Sequence, residues 1–457
     1  MRTFFLIIVV LVIAAGVVWF KAGQMPGPAI EIVHPAAVGQ TGQLEVTIET
    51  PGGRLTRLDI AVQQGEFSAP LFSLPGADPA RLAVEGENRL RLTRPLGKQF
   101  LPDLKAGSAR ITITATRPVL FGLREVRTTA ARDIDVRLTP PRVNALSQFH
   151  YINHAGSEMV VYRVVPPEAE SGVRAGDREY RGFPAAGAGI KTDDPSLRVA
   201  FFALLWDQDV KTPIRLFARD DLGNEGSAGF DYRIFPKNFR RGTINLDDDF
   251  LNKVVTEILP QSTELQVEDP TNLLASYISI NNELRRRNNE QIADLANQTS
   301  PEMLWRGPFK QLVNTAVESG FADQRTYYYD GQEVDHQVHL GYDLASTVNA
   351  PVHAANRGRV VFTGWLGIYG QSVVVDHGMG LQSLYSHLSS IEVQVSDMVE
   401  MNQLLGRTGM TGLAGGDHLH FTTLLGGYPV TPVDWWSEKW VQDRILRKLR
   451  EAGATDL

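Results

Sequence analysis

From about residue 305 to 435 the chain is punctuated by glycine, at Gly341, Gly358, Gly364, Gly370, Gly378, Gly380, Gly406, Gly409 and Gly412. Between these breaks apolar and polar residues alternate over short runs, which reads as many short strands. The clearest are Val360–Thr363, Ser372–Asp376, Leu381–Tyr385 and Leu419–Thr423. Three polar clusters are set among them: His-Leu-Gly-Tyr-Asp from His339 to Asp343, Leu-Tyr-Ser-His-Leu from Leu384 to Leu388, and Asp-His-Leu-His-Phe from Asp417 to Phe421. The whole sequence has no cysteine, which excludes disulfides, thiolate metal sites and cysteine nucleophiles together. Four histidines and an aspartate are then the composition of a zinc site built from nitrogen and oxygen ligands.

Strand geometry says how these residues can work together. His418 and His420 are two apart, so a strand points both imidazoles to one face while Leu419 and Phe421 turn the other way into a core. His339 and Asp343 can supply one nitrogen and one oxygen, and Gly341 between them permits a tight backbone path. With His420 they make a three-ligand set that leaves the fourth zinc position open, as a catalytic site requires. His387 and His418 are then free for proton work. His336, three residues before His339, is the rival ligand; it, His353 and the strand-end His377 read as surface or structural residues. Arg325 and Tyr327 to Tyr329 precede the first ligand and either line the groove or pack in a loop.

Framing residues extend the pattern over about 130 positions. They are Asn349-Ala-Pro-Val352 with Ala354-Ala355 and Gly358-Arg-Val360, Tyr369-Gly370 leading into Val373-Val-Val-Asp-His-Gly378, Tyr385-Ser-His-Leu-Ser389, and Gly406-Arg-Thr-Gly-Met-Thr-Gly412 before His418-Leu-His-Phe421. This stretch resembles the lysostaphin/LytM-type zinc metallopeptidases that cut peptidoglycan cross-links. The resemblance implies an antiparallel β-sheet groove with His339, Asp343 and His420 as zinc ligands, one ion per domain. It implies that His387 and His418 are the catalytic histidines. One of them, His418 by preference, would take the proton of the attacking water, and the other would stabilise the oxyanion or protonate the leaving amine. Some relatives lose the five positions and serve as amidase activators; all five are present here.

Upstream, an unbroken apolar run from Phe4 to Phe20 follows Met1-Arg2-Thr3 and ends at Lys21. At 1.5 Å per residue its roughly 17 residues span about 26 Å, near the lower limit for crossing a bilayer. Residues 1–24 are therefore expected to be an uncleaved transmembrane signal anchor, amino terminus inside, with the bulk of the chain in the periplasm or otherwise outside the cytoplasm. Residues 29–140 alternate in strand fashion, with Leu44, Val46 and Ile48 on one face, and predict a β-sandwich. Residues 143–240 predict a second β-rich, immunoglobulin-like module, with strands near Glu158–Val165, Leu197–Leu205 and Pro213–Ala218. No chemistry is visible in either, and His34, His150 and His154 read as surface or hydrogen-bonded residues. Residues 245–300 predict a helical linker or hairpin whose Arg285-Arg-Arg287 is solvated. The peptidase-like domain covers 305–435, and 436–457 predict an amphipathic helix with Trp436, Trp440, Ile445 and Leu449 near one face.

The expected architecture is thus mostly β: a metallopeptidase domain of lysostaphin/LytM type behind two sandwich modules, a helical linker and a membrane helix. A net charge of -7 argues against nucleic acid as a partner. The expected partners are peptidoglycan stem peptides, the membrane through the first helix, and envelope proteins through the β modules. No wall-targeting module is visible, so a bond between stem-peptide residues, such as D-Ala to a diamino acid, is the expected target. The competing reading is a non-catalytic envelope adaptor or activator of a cell-wall amidase, which would not need the complete ligand set.

Overall fold

Leu44, Val46 and Ile48 point to one side of the strand Gln43–Glu49 and are fully buried. Facing them are Leu58, Ile60 and Val62 from Arg57–Gln64 and Ile111, Ile113 and Ala115 from Gly107–Val119, all in one core. The alternation of buried residues along these strands sets two sheets against one shared core. One sheet has four strands and the other five. The computed structural model describes residues 2–52, 55–76, 82–84 and 88–455. The sandwich lies in the first of two units, Met1–Pro141 with Arg219–Glu225; the second is Arg142–Ala218 with Gly226–Leu457. Ahead of the sandwich, the helix Arg2–Gly23 exposes every side chain from Arg2 to Lys21. With a mean hydropathy of 2.9, it is long and apolar enough to cross a membrane.

The second unit is built on one large sheet. Ala316–Ser319, Tyr342–Ala345, Leu419–Leu425, Leu381–Ile391, Gln371–Gly378, Gly358–Trp365 and Met398–Val399 follow one another across it, each antiparallel to the next. All four strands read most clearly from the sequence are here. The sheet is covered on both sides, and side-chain alternation divides it between two cores. Val373, Val375, Tyr385, Leu419 and Phe421 enter a core shared with Val160, Tyr162 and Phe202 from the β-rich stretch upstream and with Trp305 and Trp435. Val374, Leu384 and Leu424 enter the other, against Leu251, Val254, Tyr277, Ile280 and Leu284 of the helical segment.

The helices begin where side chains cap them. The Asp247 carboxylate accepts from the Phe250 amide at 2.8 Å and starts Asp248–Ile258; Asn272 does the same for Leu273–Ser279 through Ala275. The second helix continues through a π turn, Ile280–Leu284, into Arg285–Asp294. A π turn adds about one residue to the helical repeat and so rotates the following face by about 100°. This changes the expectation for the arginine run. Arg286 pairs with Glu290 at the surface, whereas Arg285 and Arg287 are both half-buried, the first bonded to Asn281 and the second to Glu283.

At the C-terminal end, Val441, Ile445, Leu446 and Leu449 are buried in the large core, which accounts for the apolar face of this segment. Lys448 goes with them. Its ammonium donates to Glu158 Oε1 at 2.7 Å and to the Met159 carbonyl at 2.9 Å, on the strand Ser157–Val165.

Candidate active site

The register of the large sheet brings three of the candidate residues together. Asp343 stands directly opposite His420 across the antiparallel pair, and Ser386 opposite His420 on the other side. His387 follows Ser386 with a left-handed backbone, φ 60°, at an irregularity of the strand pairing where a non-glycine residue is strained. His339 ends the strand Gln332–His339 and arrives from the neighbouring hairpin. Gly341 lies against the result: a Cβ there would be 2.4 Å from His420 Nε2 and 2.7 Å from Thr422 Oγ1. The sequence reading made Gly341 a matter of backbone path; the structure makes it one of space.

His339 Nε2, His420 Nδ1 and Asp343 Oδ1 converge, with separations of 3.0, 2.9 and 3.0 Å. The opposite ring nitrogens decide what these atoms carry. His339 Nδ1 is 2.9 Å from the Gly320 carbonyl, which can only accept, so the proton sits on Nδ1. The Thr422 hydroxyl donates to the Leu340 carbonyl at 2.9 Å, so its oxygen accepts from His420 Nε2 at 3.0 Å. Both converging nitrogens therefore present lone pairs to each other and to a carboxylate oxygen. Three acceptors with no proton between them repel unless a cation joins them. A tetrahedral zinc with bonds of about 2.0–2.1 Å needs ligand atoms about 3.3 Å apart, so a slight opening of the trio accommodates one. His339, Asp343 and His420 are the group that could hold a metal ion among the described residues.

Supports surround the trio, as metal ligands generally require. Arg325 Nη2 donates to Asp343 Oδ2 at 3.0 Å and to the Ser319 hydroxyl at 2.8 Å, leaving Oδ1 for the centre. Burial acts to raise the Asp343 carboxyl, but the imidazoles of His339, His418 and His420 gathered round it hold it well below the usual carboxylate range. Burial, with His339 and His418 adjacent, lowers His420 to about 4 against the pull of the Asp343 charge.

His387 and His418 stand beside the trio, their rings 4.9 Å apart. Each gives Nδ1 to a backbone carbonyl, Thr411 at 2.8 Å and Gly416 at 2.9 Å respectively, which turns Nε2 toward the shared cavity. Burial, with His418 and His420 adjacent, depresses His387 well below an ordinary imidazole. For His418 burial acts the same way but is outweighed by the hydrogen bond and charge of Asp343, at 3.4 Å, and the net shift is upward. The loop carrying both carbonyls is tied to the helix Asp248–Ile258. Lys253 donates to the Met410 and Ala414 carbonyls, each at 2.7 Å, and Glu257 accepts from the Gly412 amide at 3.1 Å.

The five residues singled out in the sequence thus line one cavity of about 460 Å³. His336 does not; it is exposed and bonded to Glu333. His377 is buried between the Arg357 carbonyl and the Ser383 hydroxyl, His150 between Ser147 and the Asp231 carbonyl, and His154 is bonded to the Gln208 carbonyl. Arg325 and Tyr327 line the cavity, while Tyr329 reaches Asp248 at the surface instead. Thr422 went unnoticed in the sequence although strand period alone puts it on the face of His420. The carbonyls of Gly320, Thr411 and Gly416 carry no sequence signal.

Comparison with known proteins finds similarity over the part of the chain that carries these residues. DD-carboxypeptidase/endopeptidase Mpg of Neisseria meningitidis is 37% identical over 97 residues, 21% of this chain and 22% of that protein. Peptidoglycan DD-endopeptidase ShyB of Vibrio cholerae is 32% identical over 114 residues, 25% of this chain and 26% of that protein. The chain thus spans about a quarter or less of these curated relatives. The catalytic domain of lysostaphin from Staphylococcus simulans aligns in structure at 25% identity, with a TM-score of 0.24 over 27% of this chain and 92% of that domain. Residues 337–432, which contain all five clustered side chains, match Peptidase family M23, and the chain carries a domain of that family.

Proposed function

We propose that the chain is a membrane-anchored, zinc-dependent endopeptidase that hydrolyses peptide cross-links of bacterial peptidoglycan. The observation that carries this reading is the convergence of His339 Nε2, His420 Nδ1 and Asp343 Oδ1, all bearing lone pairs, beside two further histidines in one cavity. The name of the ShyB relative supplies the substrate class, and both it and the name of Mpg supply the endopeptidase activity.

His339, Asp343 and His420 are the proposed ligands. Zinc held there would polarise the scissile carbonyl and make water acidic enough, at a pKa of about 7, to attack near neutrality. The chain's own residues do the rest. His387 and His418 divide the proton work, each with Nδ1 fixed on a carbonyl and Nε2 facing the cavity; one accepts the proton of the attacking water while the other stabilises the oxyanion or protonates the leaving amine. Arg325 holds Asp343 in one orientation. The helix Arg2–Gly23 is the anchor, with Arg2 on the cytoplasmic side and the remaining chain outside the cytoplasm. The 29–140 module and the 143–240 stretch set the reach of the site and offer surface to envelope partners. The helices within 245–300 and the segment 436–457 brace the peptidase domain of 305–435.

The test is digestion of purified wall sacculi by the full chain in detergent, with metal analysis of the same preparation. One zinc per chain and muropeptide release that is lost in His339→Ala, Asp343→Ala and His420→Ala are expected. Zinc content near zero together with no release from sacculi would overturn the reading in favour of a non-catalytic adaptor.

A further inference from the structure

The cavity that holds the histidines has a second wall, contributed by elements outside residues 337–432. Tyr277, from the second helix, and Tyr327, from the hairpin strand, are fully buried there, with ring centroids 6.3 Å apart. The Tyr277 hydroxyl has no hydrogen-bond partner among the described residues. The Tyr327 hydroxyl lies beside the Arg325 guanidinium without reaching hydrogen-bond geometry. A buried hydroxyl left unbonded is costly, and two in one lining are unusual.

Two arginines share this wall. Arg325 spends only Nη2, on Ser319 and Asp343, so Nε and Nη1 remain for another acceptor. Arg285 spends Nε and one Nη2 proton on Asn281, so its Nη1 remains. Both charges are close enough to act on the Tyr277 hydroxyl. Two of the nearby acids are committed: Asp247 caps its helix and Asp335 accepts from Asn281 and Asn282. Asp343 belongs to the metal trio, and Glu318 is exposed and acts on His418. The result is a half-enclosed group of donors, two of them on cations, whose remaining N–H and O–H groups have no acceptor among the described residues.

We propose that Arg285, Arg325, Tyr277 and Tyr327 form a subsite that binds a free carboxylate of the peptide substrate beside the scissile bond. A carboxylate matches the guanidinium fork and has lone pairs to spare for both phenols, which a neutral amide lacks. The inference rests on the peptidase reading above and adds a selectivity: peptides with a free carboxylate near the cleaved bond are preferred to their amides.

Two matched pairs of stem-peptide substrates test this with the full chain in detergent. One pair differs in a terminal α-carboxylate against its carboxamide, the other in a side-chain carboxylate of the diamino acid against its carboxamide. The wild type is expected to favour the carboxylate of at least one pair by about tenfold or more in kcat/KM, the size of one or two charge-assisted hydrogen bonds. The pair that shows the preference identifies the carboxylate. Arg285→Gln should reduce that ratio to near one and Tyr277→Phe should reduce it in part, with circular dichroism and metal content checking that both variants fold. Equal rates within both pairs, or a ratio unchanged in Arg285→Gln, would overturn the subsite. Binding of the same peptides by calorimetry separates the two readings. Carboxylate-dependent binding that is lost in Arg285→Gln, without hydrolysis of any peptide, keeps the subsite and overturns the peptidase. Hydrolysis with no carboxylate preference in rate or binding does the reverse.

Discussion

Replacing Gly341 with alanine would put a methyl group 2.4 Å from His420 Nε2 and 2.5 Å from Cε1. Gly341 is not among the residues with positive φ, so its backbone accepts alanine and the perturbation is one of space alone. An ordinary carbon–nitrogen contact of about 3.4 Å requires about 1 Å of relief. The imidazole has little room to provide it, because His339, Tyr369 and His387 pack round it at centroid distances of 4.9, 5.4 and 5.7 Å. A ring displaced by that amount loses the bond to Thr422, now 3.0 Å, and moves Nδ1 off its line to the centre. Loss of an orienting partner costs about 10- to 100-fold in metal affinity, and a misplacement of about 1 Å costs about 100-fold in rate. Overpacking should take about 1–3 kcal/mol from stability. Zinc affinity is read by competition with a chelator of known affinity, and stability by urea unfolding of the metal-free protein. Zinc affinity within about twofold of wild type in a folded Gly341→Ala protein would refute the reasoning.

His387→Ala and His418→Ala are each expected to slow muropeptide release by about 100- to 10,000-fold while zinc content stays at the wild-type level; loss of metal in either variant would make that residue a ligand instead. Lys448→Ala leaves Glu158 buried without its cation, and chemical denaturation should show a loss of about 3–5 kcal/mol. Replacing both, as Glu158→Gln with Lys448→Met, should cost less than the single change. Asp434 gives a pH dependence. Burial raises its carboxyl to about 6, opposed by bonds from Asn153 and Ser157. Above the unfolded value of about 3.9 the unfolded chain has lost a proton that Asp434 keeps in the folded chain, so this group's contribution to stability is greatest below that pH. It declines by about 2–3 kcal/mol as pH rises toward 6. Asp434→Asn should remove this decline, and parallel unfolding curves for wild type and variant between those pH values would contradict it.

Strand period accounts for what could be read ahead of the structure. His418 and His420 share a face because they are two apart, and Leu419 and Phe421 enter the core for the same reason. The ligand candidates followed from residue type in a chain without cysteine, and the motif spacing made the assignment specific. The sequence places Arg285 on a polar helix face, and only the fold sets that face against the cavity. The carbonyls of Gly320, Thr411 and Gly416 went unseen because every residue has one; only the fold selects those three.

Local order therefore displayed much in advance: an apolar N-terminal helix, period-2 strands, and five polar residues that come to line one cavity. These depend on neighbours a few positions away, which a linear sequence displays directly. Tertiary structure alone decided that strands from 157–203 and 373–425 bury into one core, and that Lys448 meets Glu158 from 290 positions away. It also decided that helical residues near 250–285 form a wall of the cavity beside His339, Asp343 and His420. Such contacts depend on how separate layers pack. Packing is set by the shape and volume of whole side-chain surfaces rather than by any spacing along the chain.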